Sequence, residues 1–435
     1  MSRRSDLIIY SVEAALIDKV VEQYGPCKFL THTLRAHCPS DSLLIAPTPS
    51  TSPLIATKLG AIVSGQTSVK APERQAFEKH LPKDTSIVSC HSLHGPKVDT
   101  TGQPLVLIQH RASDEQLHLI ERVMSSFQSR FVYLSYEEHD AVTANTQAVT
   151  HAAFLAMGTA WRCSGDYPWE TDRYPGGVET VKINIMIRIL SAKWHVYAGL
   201  AILNPSARIQ VTQYANSASD LFKLMIRGKE DELLQRVFAA RRKVFGWQDH
   251  EFPESNGEAD SAAPTKGTGM LDVVSRVKAR KPIFMSDTLL DRFHLAARRA
   301  LEDGPQPAPA QSQRPPNSHL SLLAIVDCWA QLNINPYAHL ELAATPVFRI
   351  WIGVSEYLFR SPERVRSAIN AGVCDTSFRS DDTEFIVAAR GWAQAVQFGN
   401  FALYEWRFKD TAAFFQPRFD EANKVGTEML KVLTS

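Results

Sequence analysis

Apolar positions along the chain follow two rhythms, and one gives way to the other near residue 136. From Asp6 to about 135, short apolar runs alternate with stretches of helical spacing. Leu7-Ile8-Ile9-Tyr10-Ser11-Val12, Ala61-Ile62-Val63-Ser64, Ser86-Ile87-Val88-Ser89, Leu105-Val106-Leu107-Ile108 and Phe131-Val132-Tyr133-Leu134 read as strands. Ala15 to Gln23, Pro72 to His80 and Asp114 to Phe127 read as helices between them. Such alternation predicts an α/β layer with a mostly parallel sheet. From Glu137 onward the helical period takes over, in runs at 137–161, 178–203, 207–228 and 229–245, with Pro205 closing the second. A last helical block covers 317–435, and no repeat at a solenoid period occurs.

The expected organisation is α/β plus all-α. An α/β domain spans 1–135 and a helical domain 136–248. A partly flexible linker region at 249–316 follows, then a C-terminal helical domain at 317–435. Within the linker, 249–269 mixes charges with Gly, Ser and Pro, and 303–316 is rich in Pro and Gln.

Residues 27–56 break the α/β rhythm. The first helix ends at Tyr24-Gly25-Pro26 and the next strand begins near Leu59-Gly60, where a connection of about 2–6 residues is usual. The intervening stretch, rich in Ser, Thr and Pro, reads as a surface insertion or as a retained intron translated into protein. Cys27-Lys28-Phe29 can be encoded TGT AAG TTT, which contains the splice-donor sequence GTAAGT, and Ile55-Ala56 can be encoded ATA GCN, which contains an acceptor AG. Genomic codons for Cys27 or Ala56 lacking GT or AG in those frames would end the intron reading.

Composition narrows the function classes. With 435 residues, 44% hydrophobic and 21% charged, the chain reads as an ordinary globular protein of two or three domains. Its net charge of +1 supplies no electrostatic drive toward nucleic acid or an anionic membrane, and neither is expected as a partner. Six cysteines are scattered with no CxxC pair, which predicts no metal site and fits a reducing, cytoplasmic compartment. No run of about 18 apolar residues predicts a spanning helix.

Three stretches carry candidate chemistry. Val88-Ser89-Cys90-His91-Ser92-Leu93-His94-Gly95-Pro96-Lys97 puts His91 directly after a strand, where α/β sheets place ligand-binding residues. A histidine there can act as acid, base or hydrogen-bond partner, or be a loop residue without a role. His139, Thr143, Gln147 and His151, spaced by four, form a polar stripe on an otherwise apolar helix, either a solvated face or the lining of a wet cleft. Arg188 lies within Ile183-Asn184-Ile185-Met186-Ile187-Arg188-Ile189-Leu190, where a buried guanidinium requires a protein carboxylate or an anionic ligand. No strand–GxGxxG–helix unit occurs; Gly267-Thr268-Gly269 lies in a linker without a third glycine.

Taken together these stretches resemble prephenate dehydrogenases, the fungal NADP-linked branch most closely. The resemblance is carried by Arg4 to Ala14, Gly65-Gln66-Thr67-Ser68-Val69-Lys70, His91 to Val98 and Tyr136-Glu137-Glu138-His139-Asp140. It continues through Thr146 to Phe154, Lys193 to Ala201, Pro316 to Leu323 and Gly353 to Phe359.

The resemblance implies a Rossmann-type cofactor domain, a helical dimerising domain, and conversion of prephenate and NADP+ to 4-hydroxyphenylpyruvate, CO2 and NADPH. It implies His91 and Ser68 as catalytic residues. Arg188, His151 and Gln147 fall on the substrate side, Arg188 clamping a carboxylate. Ser11, Val12, Gln66 and Lys70 fall on the cofactor side, with Lys70 also supporting its turn, and His139 stands behind the site. A homodimer is the implied assembly. The family's opening strand and glycine-rich turn precede the point matched by Arg4, so a truncated Rossmann-type domain, with cofactor binding in doubt, is expected. Arogenate dehydrogenase and a non-catalytic dimerising paralogue are the alternatives.

Overall fold

The computed structural model describes residues 5–25, 57–58, 60–94, 99–170, 173–174, 176–250, 283, 290–295, 315–343 and 345–434. The interruption at 27–56, most of both linkers and the Gly95–Val98 end of the histidine run lie outside them. The chain divides into two units, Met1–His139 and Asp140–Ser435.

The first unit holds a five-stranded sheet in spatial order β1 (Leu7–Tyr10), β2 (Ile62–Gly65), β3 (Ser86–His91), β4 (Pro104–Arg111), β5 (Arg130–Tyr133). Only the β3–β4 pairing is antiparallel; β1–β2, β2–β3 and β4–β5 are parallel. Helices α1 (Ile17–Tyr24), α2 (Lys70–His80) and α3 (Asp114–Met124) cover it. The two-residue period sorts side chains by face. Val63 and Ile87 pack with Tyr10, Ile17 and Phe77, whereas Ile62, Val88 and Cys90 pack with Leu117 and Ile120. Covered on both faces, β3 is buried throughout, as its unbroken apolar run implies. This is the α/β layer that the alternation predicted.

In the second unit, α4 (Tyr136–Thr143) leads into α5 (Thr150–Ser164) through a π-helical stretch, Ala144–Val149. The helix expected over 178–203 is two helices, α6 (Gly177–Leu190) and α7 (Trp194–Ile202), bent by 98°. Ser191 Oγ donates to the Arg188 carbonyl (3.0 Å), a local bond that competes with helix continuation. Asn204 then caps α8 (Pro205–Ile226), with Pro205 at its first position, where no amide hydrogen is missed. Beyond α9 (Glu230–Phe245) come α10 (Leu320–Gln331), α11 (Pro336–Leu342), α12 (Pro346–Arg360), α13 (Pro362–Cys374), α14 (Arg379–Gln397), α15 (Phe401–Phe415) and α16 (Phe419–Thr434). Residues of 144–247 and of 320–429 share one apolar core. The two helical blocks therefore form one body, where the sequence suggested two domains.

That core encloses charge. Glu179 is bound by Lys182 Nζ (2.6 Å) and His319 Nδ1 (3.0 Å). Burial pushes its carboxyl up, but those two partners outweigh it and hold the group down at about 2. Asp382, beside Asp381, Lys182 and Glu179, is pushed up to about 7 by burial, against the bond from Ser318 Oγ (2.8 Å). A folded-state pKa above the unfolded one stabilises below the unfolded value, near 4, and the gain is lost as pH rises toward 7. Asp382→Asn is therefore expected to gain on the parent in Tm by roughly a few degrees between pH 4 and 7. A Tm difference that stays constant over that range would refute the assignment.

Candidate functional site

In the first unit the parallel strands end together on one side. Ser11 and Val12 follow β1, Gln66 to Ser68 follow β2, and His91 closes β3. The Gln66 amide donates to the Tyr10 carbonyl (2.9 Å), tying the first two ends together. Leu93, at a φ of 58°, turns the chain sharply after His91 while its own side chain stays buried.

Beneath these ends lies a buried polar network. Ser89 and His91 share a face of β3, toward α2 and the start of α4. Lys70 and Glu73, both with side chains 0% exposed, pair at 2.9 Å. The Lys70 ammonium also donates to the carbonyls of Gly65 (3.0 Å) and Cys90 (2.9 Å). Glu73 accepts from Thr67 Oγ1 and Ser89 Oγ, each at 2.6 Å, and Ser89 Oγ lies 2.7 Å from the Tyr136 hydroxyl. Lys70 thus clamps the ends of β2 and β3. Its ammonium is enclosed, so it supports the turn and does not reach a cofactor, which corrects its placement among cofactor-binding residues.

His91 Nδ1 lies 2.8 Å from His139 Nε2. The sequence placed His139 behind the site, and the structure puts it in direct contact with His91. Burial first, then the neighbouring His139, Lys70 and His94, holds the His91 imidazole well below the usual histidine range. Burial and then Lys70 do the same for His139. Both rings are neutral near pH 7, so the bond between them needs one donor and one acceptor nitrogen. If His91 donates from Nδ1, its Nε2 carries a lone pair able to accept a proton. That nitrogen bonds no described residue.

The second unit gathers its own candidates. The His151 ring meets the Tyr197 ring edge-on at 4.6 Å, and His151 Nδ1 is buried without a hydrogen-bond partner. Burial brings its pKa down to about 3. Burial raises the Tyr197 phenol to about 12, opposed by the charge of Arg188 close by. Arg188 itself is half-exposed, and Thr427 Oγ1 at 3.5 Å is its side-chain hydrogen-bond partner. No carboxylate among the described residues pairs with it. The buried cation of α6 is instead Lys182, held by Glu179. The expectation of a buried guanidinium is thus corrected: the residue's place on the helix rotates its long side chain out of the apolar run.

The stripe from His139 to His151 does not survive either. The π-helical stretch inserts one residue into the turn and shifts the succeeding turns by about 100°. Thr143 is buried, bonded by Asn204 Nδ2 (3.2 Å), whereas Gln147 and His151 are half-exposed. Sequence reasoning missed Glu73, Ser89 and Tyr136. For Glu73 the signal was present, since an acid three residues after Lys70 on a helix faces it. For Ser89 and Tyr136, 47 residues apart, there was none.

The strand ends at Ser11, Val12, Gln66, Ser68 and His91 fit the nicotinamide end of a dinucleotide, lying where open α/β sheets bind such groups. No described residue is assigned to its phosphates.

An α/β unit with a histidine pair at its strand ends, followed by a helical unit, defines the class: a dehydrogenase that takes a nicotinamide dinucleotide. The family model described as a 6-phosphogluconate dehydrogenase C-terminal domain matches residues 148–256 and 268–435. A probable prephenate dehydrogenase (NADP+) of Schizosaccharomyces pombe is 46% identical over 433 residues, covering 100% of this chain and 85% of its own. The prephenate dehydrogenase (NADP+) of Saccharomyces cerevisiae is 45% identical over 438 residues, covering 100% and 82%. The chain belongs to this prephenate dehydrogenase family. A solved prephenate dehydrogenase from Aquifex aeolicus overlaps 53% of this chain and 73% of its own, at 17% identity and a TM-score of 0.38, too shallow a likeness to argue from.

Proposed function

We propose that this chain catalyses oxidative decarboxylation of prephenate with NADP+, giving 4-hydroxyphenylpyruvate, CO2 and NADPH, in tyrosine biosynthesis. The observation that carries the reading is the neutral His91, hydrogen-bonded through Nδ1 at the end of β3. NADP+, when bound, supplies the hydride acceptor. His91 Nε2 accepts the proton of the ring hydroxyl as that carbon loses hydride, which makes the carbonyl. The bond to the ring carboxylate then breaks, its electron pair enters the ring, and CO2 leaves as the ring becomes aromatic. Ser11, Val12, Gln66 and Ser68 line the nicotinamide end. Arg188 holds a substrate carboxylate, and His151 and Gln147 line the substrate. The proposal includes a homodimer, readable by light scattering. It also includes a cytoplasmic location, in keeping with free thiols at Cys90, Cys163, Cys328 and Cys374.

The test is direct. Purified chain is given NADP+ with prephenate or arogenate at equal concentration, and reduced cofactor is followed by absorbance. Turnover of prephenate in preference to arogenate supports the reading, and no reduction with prephenate overturns it. Arg188, unpaired with any described carboxylate, gives a second expectation. Arg188→Ala is expected to raise the prephenate KM by about tenfold or more, because a charge-assisted pair contributes about 1.5–3 kcal/mol. The NADP+ KM should stay within about twofold. An unchanged prephenate KM would remove Arg188 from the site.

A further inference from the structure

The π-helical stretch Ala144–Val149 separates α4 from α5 and carries Gln147, four residues before His151. Wide turns of this kind are uncommon, and each needs a compensating contact. Here the contact comes from Asn145, whose side chain is fully buried. Its Oδ1 accepts from Trp329 Nε1 of α10 at 2.8 Å. Its Nδ2 lies 3.1 Å from His339 Nδ1 of α11. Burial brings the His339 pKa down to about 4, so the ring is neutral and its Nδ1 accepts from the Asn145 amide. The Asn145 carbonyl also accepts from Thr150 Oγ1 (3.1 Å), five residues on. Both ends of the Asn145 amide are thus held by residues 184 and 194 positions away, and a return to an ordinary turn would swing it off both. The extra residue decides which way the next turns face. Gln147 and His151 are half-exposed, with His151 against Tyr197, and do not continue the buried face of Thr143.

From this geometry we infer that Asn145, locked by Trp329 and His339, is a positioning residue that fixes the wide turn and through it the facing of Gln147 and His151. The inference rests on the substrate-side role proposed above for those two residues. It also gives the C-terminal block a part in the site: Trp329 and His339 touch no substrate, yet they set the side chains that do.

Three variants and two readouts test it. Trp329→Phe removes one donor and keeps the ring. His339→Leu removes the acceptor, and His339→Asn restores an acceptor close to the Nδ1 position. Trp329→Phe and His339→Leu are expected to raise the prephenate KM at least tenfold with the NADP+ KM within twofold, and His339→Asn to stay within threefold of the parent. Simple loss of folded protein would instead lower kcat and leave both KM values unchanged. The second readout is the titration of His151, followed by NMR of ring-labelled histidine. It should move upward from about 3 in Trp329→Phe as the ring leaves its buried position. Folded Trp329→Phe and His339→Leu proteins with parental prephenate KM and parental His151 titration overturn the inference. A parent chain inactive on prephenate overturns the function instead, and the NMR readout then decides the positioning by itself.

Discussion

Replacing His91 by asparagine is expected to lower kcat by about a hundred- to ten-thousand-fold, the usual loss when a positioned general base is removed. The prephenate and NADP+ KM values should change little, since the side chain acts on the proton that moves and not on the anionic ends of the ligands. Two further measurements separate this role from a structural one. The parent kcat should stay flat down through pH 6.5 and fall only well below it, because burial and the neighbouring cations keep the imidazole neutral. A profile with its acid limb near 6.5 would mean that another group carries the proton. His139→Phe should remove the acceptor for the His91 Nδ1 hydrogen and release the tautomer. A kcat loss smaller than that of His91→Asn but greater than about tenfold is expected, with near-parental KM. A His139→Phe enzyme with parental kcat would show that His91 holds its tautomer unaided.

What could be read in the sequence depended on how local its cause was. The sheet was legible because β2 and β3 are apolar on both faces and each helix between strands carries its own periodicity. His91 was legible because a histidine directly after such a strand sits at a ligand-facing end. Arg188 was placed on the correct helix but with the wrong burial, since an apolar run does not reveal which of its members faces outward. The break at Ser191 was invisible, as Ser191-Ala192-Lys193 contains neither Gly nor Pro. The polar stripe failed for a non-local reason. The turn that shifts it is held by Trp329 and His339, and no period within 136–164 could announce partners nearly two hundred residues away. The same holds for His139, whose spacing suggested a helix face while its bond partner was set by β3.

The largest stability effect is expected from Lys70 and Glu73. Both are fully enclosed, and each is the other's counter-charge. Glu73→Ala would leave the Lys70 ammonium buried with only two carbonyls, and would strip the acceptor from Thr67 Oγ1 and Ser89 Oγ. Breaking a buried pair by removing one partner costs about 3–5 kcal/mol, a large part of the roughly 5–15 kcal/mol that keeps a domain folded. Denaturant unfolding of Glu73→Ala should show a loss of that size, and Lys70→Met a comparable one. The double variant Lys70→Met with Glu73→Gln should recover much of it. No charge is then left buried, and the glutamine oxygen can still accept from Ser89 or Thr67. Near-parental stability in Glu73→Ala would mean that water reaches Lys70. Because the pair clamps the ends of β2 and β3, the damage should also extend to chemistry. Even at temperatures where Glu73→Ala is fully folded, the ends bearing Gln66, Ser68 and His91 lose their common anchor. Its kcat should then fall with that of His139→Phe, and not stay at the parental value as it would if the pair served stability alone.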